Sequence, residues 1–158
     1  FVGEFKRGKR SGEGTSKRGD DFIYCGCWLN DNYHGNGILK LQGETYEGSF
    51  VNGLYSGFGK LTTKKRSIET EFGFGRIIEG SQAVIKWTDG SFFSGTIGED
   101  GLPKGKGKVK YRNGDCYEGE LNIGQRHGIG TTVFANGEQF TGLWLMDEMG
   151  KGKLTLMS

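Results

Sequence analysis

The sequence predicts an all-β fold, an extended single-layer antiparallel meander of stacked β-hairpin repeats. Three observations predict it. A block of about 23 residues recurs along nearly the whole chain, and a period of that size marks an array in which each unit packs on its neighbours. Inside a block, residues alternate strictly: Tyr117, Gly119 and Leu121 point one way, Glu118 and Glu120 the other, as in a half-buried strand. The pairs Asp89-Gly90, Asn113-Gly114 and Asn136-Gly137 separate the runs and suit type I′ hairpin turns. Helical periodicity is absent.

Each unit opens with a strand that carries an aromatic residue: Phe1, Tyr24, Tyr46, Phe93, Tyr117 and Phe140. Two residues on stands a glycine, at Gly3, Gly26, Gly48, Gly95, Gly119 and Gly142, and two further a bulky residue, at Phe5, Trp28, Phe50, Ile97, Leu121 and Trp144. A turn follows, then Gly-x-Gly at 12/14, 35/37, 57/59, 105/107, 128/130 and 150/152. The second strand runs on from that pair and alternates as well, through Leu39 and Leu41, Val109 and Tyr111, or Thr132 and Phe134. Glycine weakens a strand unless something must approach its backbone, so each aromatic ring is expected to lie flat over the glycines.

About seven units fit this register. The fourth, about 62–90, is degenerate. Ser81 and Ala83 stand where Gly-x-Gly belongs, and Phe72-Gly73-Phe74-Gly75 takes the place of the aromatic-x-Gly strand. Lys64-Lys65-Arg66 falls in the same stretch, and a bend or loop is expected between Thr62 and Ala83. The seventh unit lacks a full second half-turn.

These columns resemble the MORN repeat family (membrane occupation and recognition nexus). Its signature, Tyr-x-Gly-x-Trp-x-x-Gly-x-x-x-Gly-x-Gly with an Asp/Asn-Gly turn, matches Tyr24 to Gly37, Tyr46 to Gly59, Tyr117 to Gly130 and Phe140 to Gly152. The resemblance implies a β-hairpin array that acts as a scaffold or recognition module. Family members sit in junctional membrane proteins, lipid kinases, exchange factors, ciliary radial spokes and parasite cytoskeletons.

Composition excludes several classes. The chain of 158 residues has 31 Gly and one Pro, and the periodic placement of glycine among aromatics argues for order. One array over residues 1–158 is expected, as a fragment of a longer protein because the chain opens at Phe1 inside a repeat. A net charge of +2 points to neither nucleic acid nor an acidic partner. No apolar run reaches the length of a membrane helix, and no signal peptide is visible. A cytoplasmic setting is expected, in the cytoskeleton or cilium or at a membrane.

Candidate chemistry is sparse. Cys25 and Cys27 share a strand face and Cys116 repeats the column of Cys25, but no second pair completes a metal site, so free thiols are expected. His34 and His127 occupy one repeat slot and read as a repeat feature. Glu47 and Glu118 share a solvent-facing column and form no acid–base pair. Neither Gly73-Phe74-Gly75 nor Gly105-Lys106-Gly107 fits a nucleotide loop. No catalytic residue, metal, cofactor or small-molecule substrate is assigned, and the chain is not read as an enzyme.

Two surfaces remain. A single sheet has no second layer, so part of the aromatic row is expected to stay accessible. The row comprises Tyr24, Trp28, Tyr46, Phe50, Tyr117, Leu121, Phe140 and Trp144, and would take an extended or helical protein segment or a second copy of the chain. Lys104, Lys106, Lys108 and Lys110 alternate onto one face, and Lys151 and Lys153 repeat two of those columns. Such a stripe is the alternative site, for anionic lipid, at about 1 kcal/mol per cation. A further alternative is a regulatory array of a larger enzyme such as a lipid kinase or exchange factor.

Overall fold

A computed structural model of the chain describes residues 1–157. It is all-β, a meander of antiparallel hairpins, as the alternation and turn signals predict; no helix occurs among the described residues. The chain forms two compact units, Phe1–Ile77 and Ile78–Ser158, and the boundary falls inside the degenerate fourth repeat. The first unit holds β1 (Val2–Lys6), β2 (Lys9–Arg18), β3 (Phe22–Leu29), β4 (Asn32–Leu41), β5 (Glu44–Val51), β6 (Leu54–Thr62), β7 (Arg66–Gly73) and β8 (Arg76–Ile77). Each strand from β1 to β7 pairs with the next, and β8 folds back on β7. The second unit holds β9 (Gln82–Trp87), β10 (Phe92–Ile97), β11 (Pro103–Lys110), β12 (Cys116–Asn122), β13 (Gln125–Val133), β14 (Gln139–Leu145) and β15 (Glu148–Thr155), again paired in sequence.

A row of glycines crosses the strands of each unit. Gly3, Gly14, Gly26, Gly37, Gly48 and Gly59 face one another in the first unit, one per strand. Gly95, Gly107, Gly119, Gly130, Gly142 and Gly152 do so in the second. The repeat aromatic lies over this row. A Cβ on Gly37 would stand 2.5 Å from Tyr24 Oη, and one on Gly59 would stand 2.7 Å from Tyr46 Cε2. The partner glycine in each pair is empty for another reason: a Cβ on Gly26 would stand 2.5 Å from Gly37 Cα on the next strand. Ring and backbone thus each claim the space of a side chain.

The first glycine of Gly-x-Gly has a separate task. Gly35 and Gly128 take φ of 77° and 65°, beside the register shifts at Gly26/Trp28 and Gly119/Leu121. This is a bulge with a left-handed residue, which only glycine adopts freely. The bulge turns a backbone carbonyl toward the ring. Tyr24 Oη donates to Cys27 O at 2.7 Å, Tyr46 Oη to Ser49 O at 3.1 Å and Tyr117 Oη to Glu120 O at 2.6 Å.

The fourth repeat keeps more of the pattern than expected. Ile68, Thr70 and Phe72 on β7 occupy the aromatic, glycine and bulky columns, since Leu61 faces Ile68, Gly59 faces Thr70 and Gly57 faces Phe72. Phe74-Gly75 is therefore a turn, not strand, with φ of 50° and 79°. Lys64-Lys65 sits in a tight hairpin in which Thr63 N–H donates to Arg66 O at 2.8 Å, so no break occurs there. Irregular backbone is confined to the segment between β8 and β9.

Turn types also differ from the expectation. At Asn113-Gly114, Tyr111 O accepts from Gly114 N–H at 3.0 Å and only the glycine has positive φ, 94°. Asp89-Gly90 and Asn136-Gly137 behave alike. These are three-residue loops that end in a left-handed glycine, the next most common hairpin after type I′. The type I′ pattern, with both central residues at positive φ, falls at Asn52-Gly53 (49° and 82°) and at Ile123-Gly124 (49° and 75°).

Candidate interaction surface

Two layers build the ring side of each unit. The inner layer is the expected aromatic row, and it is interior. Tyr24, Trp28, Tyr46, Phe50, Tyr117, Leu121, Phe140 and Trp144 are all buried, with Tyr24 and Tyr46 at 0% exposure. The expectation that part of this row stays accessible is corrected. Rings pressed onto glycine backbone sink to the level of the sheet, and neighbouring repeats fill the gaps. In the first unit the rings meet edge to face: Tyr24 with Trp28 at 5.1 Å, Tyr24 with Phe50 at 5.3 Å, Tyr46 with Phe50 at 5.1 Å and Tyr46 with Phe72 at 5.1 Å. Edge-to-face pairs add about 0.5–1.5 kcal/mol each beyond their burial. In the second unit Trp144 meets Phe140 at 5.3 Å and Tyr117 at 5.9 Å. The two tryptophans are also anchored, Nε1 of Trp28 donating to Gly14 O at 3.1 Å and Nε1 of Trp144 to Gly130 O at 3.3 Å.

An outer layer, which the sequence reading missed, covers those rings. It comes from the residue that faces the bulky column across the hairpin, namely Arg10, Tyr33, Tyr55 and Arg126; Pro103 and Met149 hold the same place in their hairpins. Tyr33 stacks on Tyr24 with centroids 3.8 Å apart, and Tyr55 stacks on Tyr46 at the same distance. Both cover rings are only partly buried. Arg10 lies 4.3 Å over the Trp28 ring and Arg126 lies 4.1 Å over Trp144. The sequence carries a usable signal, because all of these residues but Met149, which directly precedes Gly150, share one column two places before the first glycine. Their identities vary so widely that the column does not stand out.

The arginine cover brings a partner. Arg10 donates through Nε to Asp31 Oδ1 at 3.1 Å and through Nη2 to Asp31 O at 3.2 Å, and its N–H reaches Oδ1 at 2.9 Å. Arg126 repeats the pattern on Asp147, at 3.0, 3.4 and 2.9 Å. Both aspartates are the second residue of a turn, at φ 70°, where other turns place glycine. Tyrosine covers pair with glycine there: Tyr33 O accepts from Gly53 N–H at 2.9 Å and Tyr55 O from Gly75 N–H at 3.0 Å. An arginine cover thus goes with aspartate in the next turn, and a tyrosine cover with glycine.

Burial raises the phenol of Tyr24 above its ordinary range and pushes those of Tyr46 and Tyr117 up to about 12. Arg10, chiefly its backbone N–H, holds the Asp31 carboxyl below its ordinary value.

The lysine stripe lies on the opposite face and is exposed at Lys104, Lys106, Lys108, Lys110, Lys151 and Lys153. Acidic neighbours compensate half of it. Lys104 is bonded to Glu79, Lys108 lies 3.3 Å from Glu118, and Lys106 faces Glu120 across the strands. Cys25, Cys27 and Cys116 are free thiols, and a hydrogen bond to Glu13 raises that of Cys27. His34 and His127 each bury Nδ1 without a partner among the described residues, so they match in environment as well as in column. Glu47 and Glu118 lie on the exposed face as expected.

Comparison with known proteins agrees with this construction. The model of the MORN repeat matches residues 1–20, 24–42, 46–67, 99–116 and 117–139. Alsin of Rattus norvegicus and Alsin of Homo sapiens are each 28% identical over 134 residues, or 81% of this chain. The chain spans only 7% of the length of these relatives. With five matched segments spread over well more than half its length, the chain belongs to the MORN repeat family, whose repeats are non-catalytic interaction modules.

Proposed function

We propose that the chain is a non-catalytic scaffold that docks a protein partner along the ring side of its sheet. The observation that carries this reading is the outer layer. Tyr33 and Tyr55 give one ring face to the interior and keep the other partly open, and Arg10 and Arg126 stand in the same column. Tyrosine and arginine are the side chains that most often anchor an interface. Here they are already held by stacking and ion pairs, so little rotamer freedom remains to be lost on binding. Within each unit the buried rings shape this surface from beneath, and an extended or helical segment running across the strands of that unit would rest on the covers.

The test replaces covers and leaves the interior intact. Tyr33→Leu with Tyr55→Leu keeps an apolar lid but removes the ring faces. Wild type and variant are compared in affinity capture from native lysate with mass spectrometry, after their melting temperatures are matched. A stoichiometric protein held by wild type and lost by the variant is expected; equal retention by both sinks the reading. A second reading, a regulatory array within a longer enzyme, is favoured by the small share of the Alsin relatives that aligns. Carboxylates beside the lysine stripe weigh against the lipid alternative.

A further inference from the structure

Away from the ring side, the hairpin tips of the first unit carry an apolar strip with no partner. The four tips lie along one edge of the sheet, at 6–9, 29–32, 51–54 and 73–76, and the last three are each tied to the preceding hairpin by a backbone hydrogen bond such as Gly53 N–H to Tyr33 O, 2.9 Å. On the face opposite the rings, the residues flanking the tips run Lys6, Lys9, Leu29, Asn32, Val51, Leu54 and Arg76 across β1 to β8. Leu29, Val51 and Leu54 are exposed, and Leu54 leans toward the fourth tip, its Cδ2 3.4 Å from where a Cβ on Gly75 would stand. Phe74 forms that tip. It is 89% exposed and sits at φ 50°, in the left-handed region that disfavours a bulky residue. Asn52 holds the same place in the neighbouring turn, at φ 49°. Arg7, Ile123 and Met146 take the same φ in their turns, so the conformation belongs to the hairpin; what sets Phe74 apart is an aromatic ring held in water, a cost that no burial among the described residues repays.

Charge and spacing specify the occupant. Lys6 and Lys9 stand at one end and Arg76 at the other, while the only carboxylate in the four tips, Asp31, is held by Arg10. Two copies of the strip would place cation against cation in either orientation, which opposes self-association. Asn30, Asp31 and Asn52 cap the central tips, and hydrocarbon would strip them of water, which opposes insertion into a bilayer. Successive tips are two strands apart, roughly 10 Å, close to two turns of an α-helix. The strip is roughly 30 Å long, the length of a helix of about 20 residues. We propose that this edge docks an acidic amphipathic helix of a partner protein, with Phe74 inserted into its apolar face and its acidic ends on Lys6, Lys9 and Arg76.

The test uses a designed helical peptide of about 20 residues with leucine at heptad spacing and glutamates at both ends. Its counterpart carries lysine for each glutamate, and phosphatidylcholine vesicles with and without phosphatidylserine complete the set. Fluorescence anisotropy should show the acidic peptide binding wild type, more weakly as salt rises, and the lysine peptide not binding. Phe74→Asn should bind at least about tenfold more weakly. Its melting temperature should equal or exceed that of wild type, because asparagine tolerates the left-handed position. The proposal is overturned if wild type ignores the acidic peptide, if both peptides bind alike, or if Phe74→Asn binds as tightly. A lower melting temperature for Phe74→Asn would overturn it too, by showing that the ring serves the fold. Binding to phosphatidylserine vesicles in preference to the peptide would assign the edge to a membrane instead. Retention by Tyr33→Leu/Tyr55→Leu of full peptide affinity is expected, which keeps this surface separate from the ring side.

Discussion

Glycine is the residue on which this fold turns, and its two columns fail in different ways. On Gly119 an added side chain meets backbone, because Ile129 O would lie 2.6 Å from a Cβ. Strands cannot give way without breaking their ladder. On Gly37 it meets the edge of Tyr24, a ring that can tilt at the expense of its bond to Cys27 O, 2.7 Å. Gly119→Val should therefore cost about 3 kcal/mol and Gly37→Ala about 1 kcal/mol, the two ends of the overpacking range. Urea titration of the two variants checks the order; equal losses would mean that ring and backbone yield alike. Gly8 is a third case. A Cβ there meets nothing within 4 Å, yet φ is 77°, so Gly8→Ala loses only the left-handed penalty of about 1 kcal/mol.

Hairpins are joined by more than their ladders. Arg126 reaches from one repeat into the turn of the next, lies over Trp144 and holds Asp147, so it spans two neighbouring repeats. Arg126→Tyr leaves Asp147 strained at φ 70° without its cation, and Asp147→Gly leaves Arg126 without its carboxylate. Each single change should cost about 1 kcal/mol, the net worth of charge-assisted hydrogen bonds at a half-exposed site. The double variant recreates the Tyr33–Gly53 arrangement and should recover most of the loss. Chemical denaturation of the four proteins gives the coupling directly, and additive losses would refute the clasp. This pairing also marks what the sequence disclosed and what it hid. Alternation and the aromatic, glycine and bulky columns gave the strands, the ring packing and the family, because those positions repeat nearly unchanged. The cover column and its turn partner vary together between Arg–Asp and Tyr–Gly, so neither column looks periodic alone. The fourth repeat is disguised for a related reason: Ile68 and Thr70 hold the columns without an aromatic or a glycine, while Phe74-Gly75 imitates the motif inside a turn. Accessibility is not legible in the pattern, because a single sheet implies open rings, whereas rings on bare glycine backbone lie low enough for one further row of side chains to close them over.

Across the whole molecule, buried phenols set an alkaline limit on stability. Tyr24, Tyr46 and Tyr117 each sit beneath the outer layer with the hydroxyl spent on a backbone carbonyl, and ionisation would leave an anion facing that oxygen in a desolvated site. Burial pushes the phenols of Tyr46 and Tyr117 up to about 12 in the folded chain and raises that of Tyr24 as well. In the unfolded chain a tyrosine ionises near about 10. Above that pH the unfolded state has released protons that the folded state still holds, so the slope of unfolding free energy against pH is negative. Stability from these residues is fully present below about pH 10 and is lost as pH rises toward the folded values. Melting temperatures should be flat from neutrality to about pH 10 and fall steeply above it, and tyrosinate absorbance should rise together with unfolding. Tyr46→Phe deletes one titrating group and one hydrogen bond, so it should melt lower at neutral pH and show a shallower alkaline decline. Parallel declines in wild type and variant, or tyrosinate appearing well before the fold is lost, would place the alkaline limit elsewhere in the chain.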